Sequence, residues 1–483
     1  MPTRGTAARI IACAAVFRSQ APRPKNLPRA LVYSTFFCYN LEKYSGPAAK
    51  GCDPVKDLLI RGATIFDPSQ DMTCKADIRI RKGQIAAVAE QLPLEGATLL
   101  QADGLVCAPG LVDMHVHLRD PGQTHKEDIY SGCCAAAAGG VTSVVCMPNT
   151  SPVVDDTGVV QWILEKSIRA DAHVYPVGAI TRGMQGEELT DFTALKKAGV
   201  AALSDDGKPV PTAGLMAEAL KKAAVVGLPV LSHSEDRELA GRGIMHEGAV
   251  SSLLGVPGIP PAAEEVAIAR EIRLAAETGC PVHICHVSTA GSVSLLREAQ
   301  QKGIPVTGET APHYFTFTHE CLRERDADFR MNPPLRTEAD VRAVIRGLQD
   351  GTLCAIATDH APHTPEEKAD FETAPNGVVG LETSLAAGIT ALVRPGYLSL
   401  MELLRCMSTA PAQLLGLKAG TLHTGAPADL VLFDPEESWT VDPEKLHGKS
   451  RNTPFKGQTL YGRVKATILA GKIVYMEEAP LCL

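Results

Sequence analysis

Between residues 107 and 417 the chain repeats one rhythm. Short apolar runs end in polar residues and alternate with stretches whose apolar residues recur at helical spacing. The runs are "CAPGLVDMHVHLR", "VTSVVCMPNT", "AHVYPVGAIT", "VAALSDDG", "LPVLSHSED", "CPVHICHVST", "IPVTGETAPH" and "LCAIATDHAPH". Between them lie segments such as Thr212–Val226 and Ala262–Thr278, rich in Ala, Leu and Glu. Eight buried strands alternating with helices predict the α/β class and a TIM-like (β/α)8 barrel. In that architecture, functional groups gather where the strands end, at the C-terminal mouth.

The flanks have another texture. "DLLIRGATIFDP", "ADIRIRKGQIAAVA" and "ATLLQADGLVCAPG" read as short strands punctuated by Gly62, Gly83 and Gly104. "ADLVLFDP" and "GRVKATILAGKIVYM" repeat the pattern near the other end. Residues 56–106 and 418–475 are therefore expected to form a small β-sandwich domain beside a barrel of residues 107–417. Residues 1–55 form an extension. Its first 41 residues carry Arg4, Arg9, Arg18, Arg23, Lys25 and Arg29 with no acidic residue before Glu42, the composition of a transit peptide or a disordered tail. The corresponding expectations are an organelle matrix or the cytoplasm.

At the strand ends the candidate chemistry appears. His115 and His117 flank Val116, so an extended backbone turns both imidazoles to one side. Arg119 follows. Strand two ends at Asn149, strand four at Asp205 and Asp206, strand five at His233, strand six at His286, and strand eight at Asp359, His360 and His363. Imidazoles and carboxylates at one mouth make a metal site, and this donor set suits Zn²⁺. Strand period leaves open which of Asp205 and Asp206 faces the site. Lys208 lies beyond the strand, after Gly207. His283, three residues before His286, falls on the opposite face and reads as structural.

These motifs resemble dihydroorotase of the long bacterial type, within the amidohydrolase superfamily. The resemblance runs from residue 57 to 475. It is carried by "GLVDMHVHLRDPGQTHKEDIYSG", "AAAAGGVTSVVCMPNTSP", "SDDG", "LSHSED", "HICHVST", "TAPHYF", "MNPPLR", "ATDHAPH", "GAPADLVLFDP" and "SRNTPFKGQTLYGRV". It implies zinc-dependent, reversible cyclisation of N-carbamoyl-L-aspartate to L-dihydroorotate in de novo pyrimidine (UMP) biosynthesis, EC 3.5.2.3. It further implies that His115, His117 and Asp359 hold one zinc and His233 and His286 a second, with Asp206 bridging. Asp359 would act as general acid and base. His117, Arg119, Asn149, Asn332 and His363 would meet substrate, with the segment Asn376-Gly377. The family often has Phe-Gly in that segment, so the departure falls at a substrate contact.

The substrate's carboxylate suits Arg119, whose planar fork accepts it through two hydrogen bonds. Related cyclic amidohydrolases, hydantoinase or dihydropyrimidinase and allantoinase, are the alternative enzymes. A non-catalytic subunit of aspartate carbamoyltransferase is the alternative of another kind, and it is expected to lack metal ligands. Docking on that transferase and a homo-oligomer are the expected partnerships. Overall composition adds exclusions. Of 483 residues 21% are charged, with a net charge of −8 and no basic repeat, which excludes a nucleic-acid partner. The apolar stretch Ile10–Phe17 is too short to span a membrane. The 14 cysteines are scattered, with Cys107, Cys146, Cys285 and Cys354 in apolar runs, which suits buried thiols in a reducing compartment.

Overall fold

The computed structural model describes residues 57–477, and the expectations for residues 1–55 lie outside that range. The chain begins with β1 (Leu58–Asp67), β2 (Met72–Arg81), β3 (Gln84–Ala89), β4 (Thr98–Gln101) and β5 (Val106–Pro109). Gly110 then carries it directly into β6 (Leu111–Val116). A Cβ at Gly110 would lie 2.2 Å from Thr142 Oγ1, so only glycine allows this close passage. The strands β7 (Val141–Cys146), β8 (His173–Ala179), β9 (Ala202–Ser204) and β10 (Leu231–Ser232) follow. An excursion contributes β11 (Met245–His246) and β12 (Gly258–Ile259), which pair in parallel. Then come β13 (Val282–Ile284), β14 (Val306–Thr310) and β15 (Ala355–Ile356). Last are β16 (Leu430–Thr440), β17 (Thr459–Leu469) and β18 (Lys472–Met476).

The eight expected barrel strands are present. They form two parallel four-stranded arrays, β6-β7-β8-β9 and β10-β13-β14-β15. Parallel bridges Leu203–Val230 and Val116–His360 join the arrays at both seams. The second seam is reinforced by His117 N donating to His360 O at 2.8 Å. Met114, Val145, Val177, Ala202, Leu231, Cys285 and Ala355 share one buried cluster. They come from six strands of a ring and, in Cys285, from the residue just past a seventh, and can meet only inside it. Leu111, Val144, Leu203, Val230, Ile284, Val306 and Ile356 cluster instead with the helical residues Val160, Leu220, Ile268, Leu296 and Val344. The period-two alternation of a strand thus separates a filled interior from a helix-packed exterior.

Local signals place the helices. Ala213–Val226 begins at Thr212, whose side chain accepts from Leu215 N, and ends at Gly227 in the left-handed region. Ala262–Thr278 spans the expected residues and stops at the left-handed Gly279. Among the described residues no helix is long and apolar enough to cross a membrane.

Both chain ends build one sheet, in the order β18-β17-β16-β5-β1-β2-β3, with β4 on β1. It curls on itself: a Cβ at Gly471, after β17, would lie 2.9 Å from the Cα of Gly83, after β2. Alternation again divides the labour. Leu430 and Leu432 join Ile60, Ile78 and Ile468 in the sheet's own core. Val431 and Phe433 join the barrel cluster. Phe433 is fully buried and fastens the sheet to the barrel. Phe433→Ala is expected to cost ~3–5 kcal/mol and to lower the melting temperature, measured by calorimetry. A cost below ~1 kcal/mol would show that the sheet does not rest on the barrel through this residue.

Candidate metal centre

The inward register of the strands continues to the mouth. Val145 and Met147 belong to the interior cluster, and Asn149 has their parity. Ala202 lies in the interior cluster and Leu203 in the outer one, so Asp206 continues inward and Asp205 outward. His233 follows Leu231, and Asp359 follows Ala357, on the inner parity. Strand one gets there through a register shift between Asp113 and Val116: Met114 is in the interior cluster and Val116 in the outer one, so His115 and His117 turn inward past the shift. His286 is a second exception. It has the outward parity of Ile284, but its φ of +40° redirects the chain just past β13. Arg119 (φ +57°) and Asp359 (φ +49°) also adopt left-handed backbone. Such conformations are costly for non-glycine residues and concentrate at functional sites.

Asp206 stands at the centre. Its Oδ1 lies 3.3 Å from His115 Nε2, 3.4 Å from His233 Nδ1 and 3.7 Å from His286 Nε2, and its Oδ2 lies 3.4 Å from His117 Nε2. Asp359 Oδ1 lies 3.2 Å from His117 Nε2 and 3.5 Å from His115 Nε2. His233 Nδ1 and His286 Nε2 are 2.9 Å apart. All six residues are buried. Yet His115 Nε2 and Asp206 Oδ1 make no hydrogen bond. Buried polar atoms rarely go unpaired, so converging, unsatisfied donors call for another partner. His115, His117 and Asp359 offer one set of ligand atoms within 4.8 Å, and His115, Asp206 and His286 another. Imidazole nitrogen and carboxylate oxygen in this arrangement fit a divalent metal.

The neighbouring aspartate does other work. Asp205 Oδ1 accepts from Ile180 N at 2.8 Å and Thr181 N at 3.1 Å, pinning the end of β8. Lys208 is exposed.

Behind the donors stands a ring of partners, of which sequence reading missed Glu309 and Asp113 and named Asn149 only as a substrate contact. His115 Nδ1 lies 3.2 Å from Glu309 Oε1, and the other Glu309 oxygen lies 3.3 Å from His283 Nε2. His117 Nδ1 donates to Asn149 Oδ1 at 2.8 Å. Asp113 Oδ1 accepts from His115 N at 3.2 Å and Thr358 N at 3.1 Å, tying strand one to strand eight. Holding Nδ1 in this way leaves each Nε2 lone pair for a metal. Glu309 has the inward parity of β14, but no neighbouring histidine marks it. His313 was also missed: it is buried with Nε2 unpartnered, and burial pushes its pKa down to about 4.

The electrostatics follow from burial and charge. Burial raises the Asp206 and Asp359 pKa values, but the surrounding imidazoles outweigh it, holding Asp206 well below the carboxylate range and Asp359 at about 2. Burial lowers His115 and His233, but Asp206 and its neighbours outweigh it, raising His115 well above the ordinary value and His233 to about 10. The field that draws protons to these rings also draws a divalent cation, which competes for the same lone pairs.

The expected substrate residues surround this centre. Arg119 is buried; its Nε donates to Pro362 O and its Nη2 to His363 Nε2, both at 3.2 Å. Asn332 Nδ2 donates to Glu235 Oε1 at 2.9 Å, while its Oδ1 is buried and unpartnered. Asn376 turns its side chain to Arg330, and its carbonyl lies 3.0 Å from His363 Nε2. Gly377 has a φ of +137°, and a Cβ there would lie 2.7 Å from Ala361 O, so a side chain would displace the His363 loop.

Residues 104–292 match the dihydro-orotase-like family, and residues 343–475 match the amidohydrolase family. Dihydroorotases from Citrifermentans bemidjiense and Pelotomaculum thermopropionicum are each 50% identical to the chain, covering 87% of it and 99% of their own length. Among solved structures, an L-hydantoinase (dihydropyrimidinase) from Arthrobacter aurescens superposes with a TM-score of 0.78 at 25% identity, covering 87% of this chain and 96% of that one. A D-hydantoinase from Bacillus sp. AR9 gives 0.76 at 28%, covering 87% and 95%. At half identity along nearly the whole length of its relatives, the chain belongs to the dihydroorotase family of amidohydrolases.

Proposed function

We propose that the chain catalyses the reversible, zinc-dependent cyclisation of N-carbamoyl-L-aspartate to L-dihydroorotate and water, a step of de novo pyrimidine biosynthesis. The observation that carries this reading is a buried Arg119 at the same mouth as two carboxylates and four imidazoles that crowd together, with His115 Nε2 and Asp206 Oδ1 left unpartnered among them. The solved neighbours are hydantoinases, but a hydantoin or dihydrouracil ring carries no carboxylate for a buried guanidinium. Half identity to dihydroorotases, against about a quarter to hydantoinases, favours the same substrate. The intact donor set argues against a purely structural subunit. Family membership also supports a homo-oligomer and docking on aspartate carbamoyltransferase, which light scattering of the chain alone and mixed with that enzyme tests.

In this reading His115, His117 and Asp359 would hold one zinc and His233 and His286 a second, and Asp206 would be a ligand common to both. When bound, the metal supplies Lewis acidity, which activates water near neutral pH and polarises an amide carbonyl. In hydrolysis, Asp359 accepts a proton from water as the water oxygen bonds to the ring carbonyl carbon. The ring C–N bond then breaks, and Asp359 returns the proton to the departing nitrogen. In cyclisation Asp359 takes a proton from the ureido nitrogen as that nitrogen bonds to the carbon of the protonated carboxyl group; the C–OH bond then breaks, and Asp359 returns the proton to the hydroxyl, which leaves as water. Arg119 grips the substrate's other carboxylate. Asn332 Oδ1 accepts a hydrogen bond from substrate, and His363 and the Asn376-Gly377 segment shape the carboxylate's side of the site. Asn149 keeps His117 oriented while its amide N–H groups remain for substrate.

Dihydroorotate hydrolysis measured with metal analysis of the same sample tests the reading directly. Asp359→Asn is expected to fold and to lose about 10²–10⁴-fold in kcat, since an amide cannot accept the proton. Retention of most activity would move the base to another group. Asp206→Ala is expected to lose metal, Asp205→Ala to keep more of it, and Lys208→Ala to change little, as read by elemental analysis. Arg119→Met is expected to keep its metal and lose on the order of thirty-fold to several-thousand-fold in kcat/KM for dihydroorotate. Residual activity on dihydrouracil should be nearly unaffected, and equal losses on both would assign Arg119 to the metal site.

A further inference from the structure

Arg119 reaches the mouth on a chain segment with strained backbone, so something must fix its guanidinium. Two contacts do so directly, Pro362 O to Nε and His363 Nε2 to Nη2. The first is a backbone carbonyl and can only accept. The second is conditional: His363 Nε2 accepts only when the ring carries its proton on Nδ1.

The far side of the ring sets that condition. Glu367 Oε2 lies 3.0 Å from His363 Nδ1, one helical turn away in sequence. Its other oxygen pairs with Lys126 Nζ at 2.8 Å. Lys126 belongs to the loop after β6, which also carries Arg119, whereas Glu367 and His363 belong to the loop after β15. Lys126, Glu367, His363 and Arg119 therefore form one polar chain joining the two loops.

Only one tautomer satisfies its charged members. With the proton on Nδ1, the ring donates to the Glu367 carboxylate and accepts from the Arg119 guanidinium, both charge-assisted bonds. With the proton on Nε2, two donors face each other at Arg119 and two acceptors face each other at Glu367. The Asn376 carbonyl, 3.0 Å from Nε2, and Lys126 Nζ, 3.5 Å from Nδ1, favour that second tautomer, but through one neutral acceptor and one long contact. An imidazolium is disfavoured as well, because burial and the Arg119 charge push the His363 pKa down to about 3.

We propose that Glu367, braced by Lys126, is a positioning residue that fixes the His363 tautomer and so aims Arg119 at the substrate carboxylate. This rests on the reading of Arg119 as the carboxylate clamp, and it adds a specificity device that touches neither metal ligands nor substrate. The guanidinium has five N–H donors, of which these contacts use two, so the held edge sets the direction of the rest.

The test uses the metal-loaded full chain. Nitrogen NMR of ¹⁵N-histidine protein, with the His363 signal identified by its loss in His363→Gln, should report an Nδ1–H ring in the wild type. In Glu367→Ala the ring should shift toward Nε2–H. Calorimetric affinity for orotate, which carries the carboxylate, should fall roughly tenfold in Glu367→Ala. Affinity for uracil, the same ring without it, should stay unchanged. Glu367→Gln, whose amide oxygen still accepts from Nδ1–H, should retain most of the orotate affinity, and Lys126→Met should show a smaller loss. An unchanged His363 tautomer in Glu367→Ala, or equal weakening of orotate and uracil, overturns the proposal. Wild-type protein that binds orotate no better than uracil instead overturns the carboxylate-clamp reading, and the tautomer measurement still decides the Glu367–His363 coupling.

Discussion

The structure turns on a carboxylate surrounded by imidazoles where water is scarce. Asp206 is buried at the mouth of a barrel whose interior below is apolar, and four histidine nitrogens stand within 3.7 Å of it. Such a cluster is unstable unless its charges balance and its hydrogen-bonding atoms find partners. Much of the barrel's polar architecture answers that requirement. Asp113 bonds the backbones of strands one and eight together beneath the ligands. Glu309 and Asn149 occupy the outward nitrogens of His115 and His117. Asp205 pins the end of β8 to the strand that carries Asp206. What these partners leave over is an inward set of lone pairs, and a divalent cation is the species that satisfies several of them at once.

Much of this was legible in the sequence, because period-two alternation and motif spacing are local. The eight apolar runs became eight parallel strands, and the spacing of His115 and His117 put both rings on one side. Even the choice between Asp205 and Asp206 was present in local form. Small Ala202 and Ser204 alternate with bulky Leu203, as expected where the inward side is a crowded barrel interior and the outward side packs on helices. Alternation alone could not say which side was inward, but side-chain size could.

What stayed hidden depends on backbone reversal or distant pairing. His286 was legible as a candidate, but not how it reaches the site: it has the wrong parity for a ligand and turns inward only through its left-handed φ, which no residue type at that position announces. Glu309 lies 194 residues from His115, and neither its strand nor its neighbours mark it as a partner. Arg119 was legible as a candidate clamp, but the contacts that hold it were not. His363 meets it, with Glu367 and Lys126 behind, because the bridge between Val116 and His360 closes the barrel there, setting the loops after strands one and eight side by side.

That closure separates two tasks that share one mouth. The candidate metal donors stand at the ends of strands one, four, five, six and eight, where a rigid barrel fixes them. The residues around Arg119 come from loops, held by a polar chain and by the glycine at 377 that lets the backbone approach His363. A barrel superposing on hydantoinases at about a quarter identity is what this division leads to. Activation of a cyclic amide needs the same donors whatever the ring carries, so the strand-end groups are constrained by chemistry common to all such substrates. Recognition of a carboxylate on that ring is a separate demand. In the proposed reading one guanidinium meets it, aimed by a hydrogen-bonded chain, and specificity within this fold could then change without disturbing the metal centre.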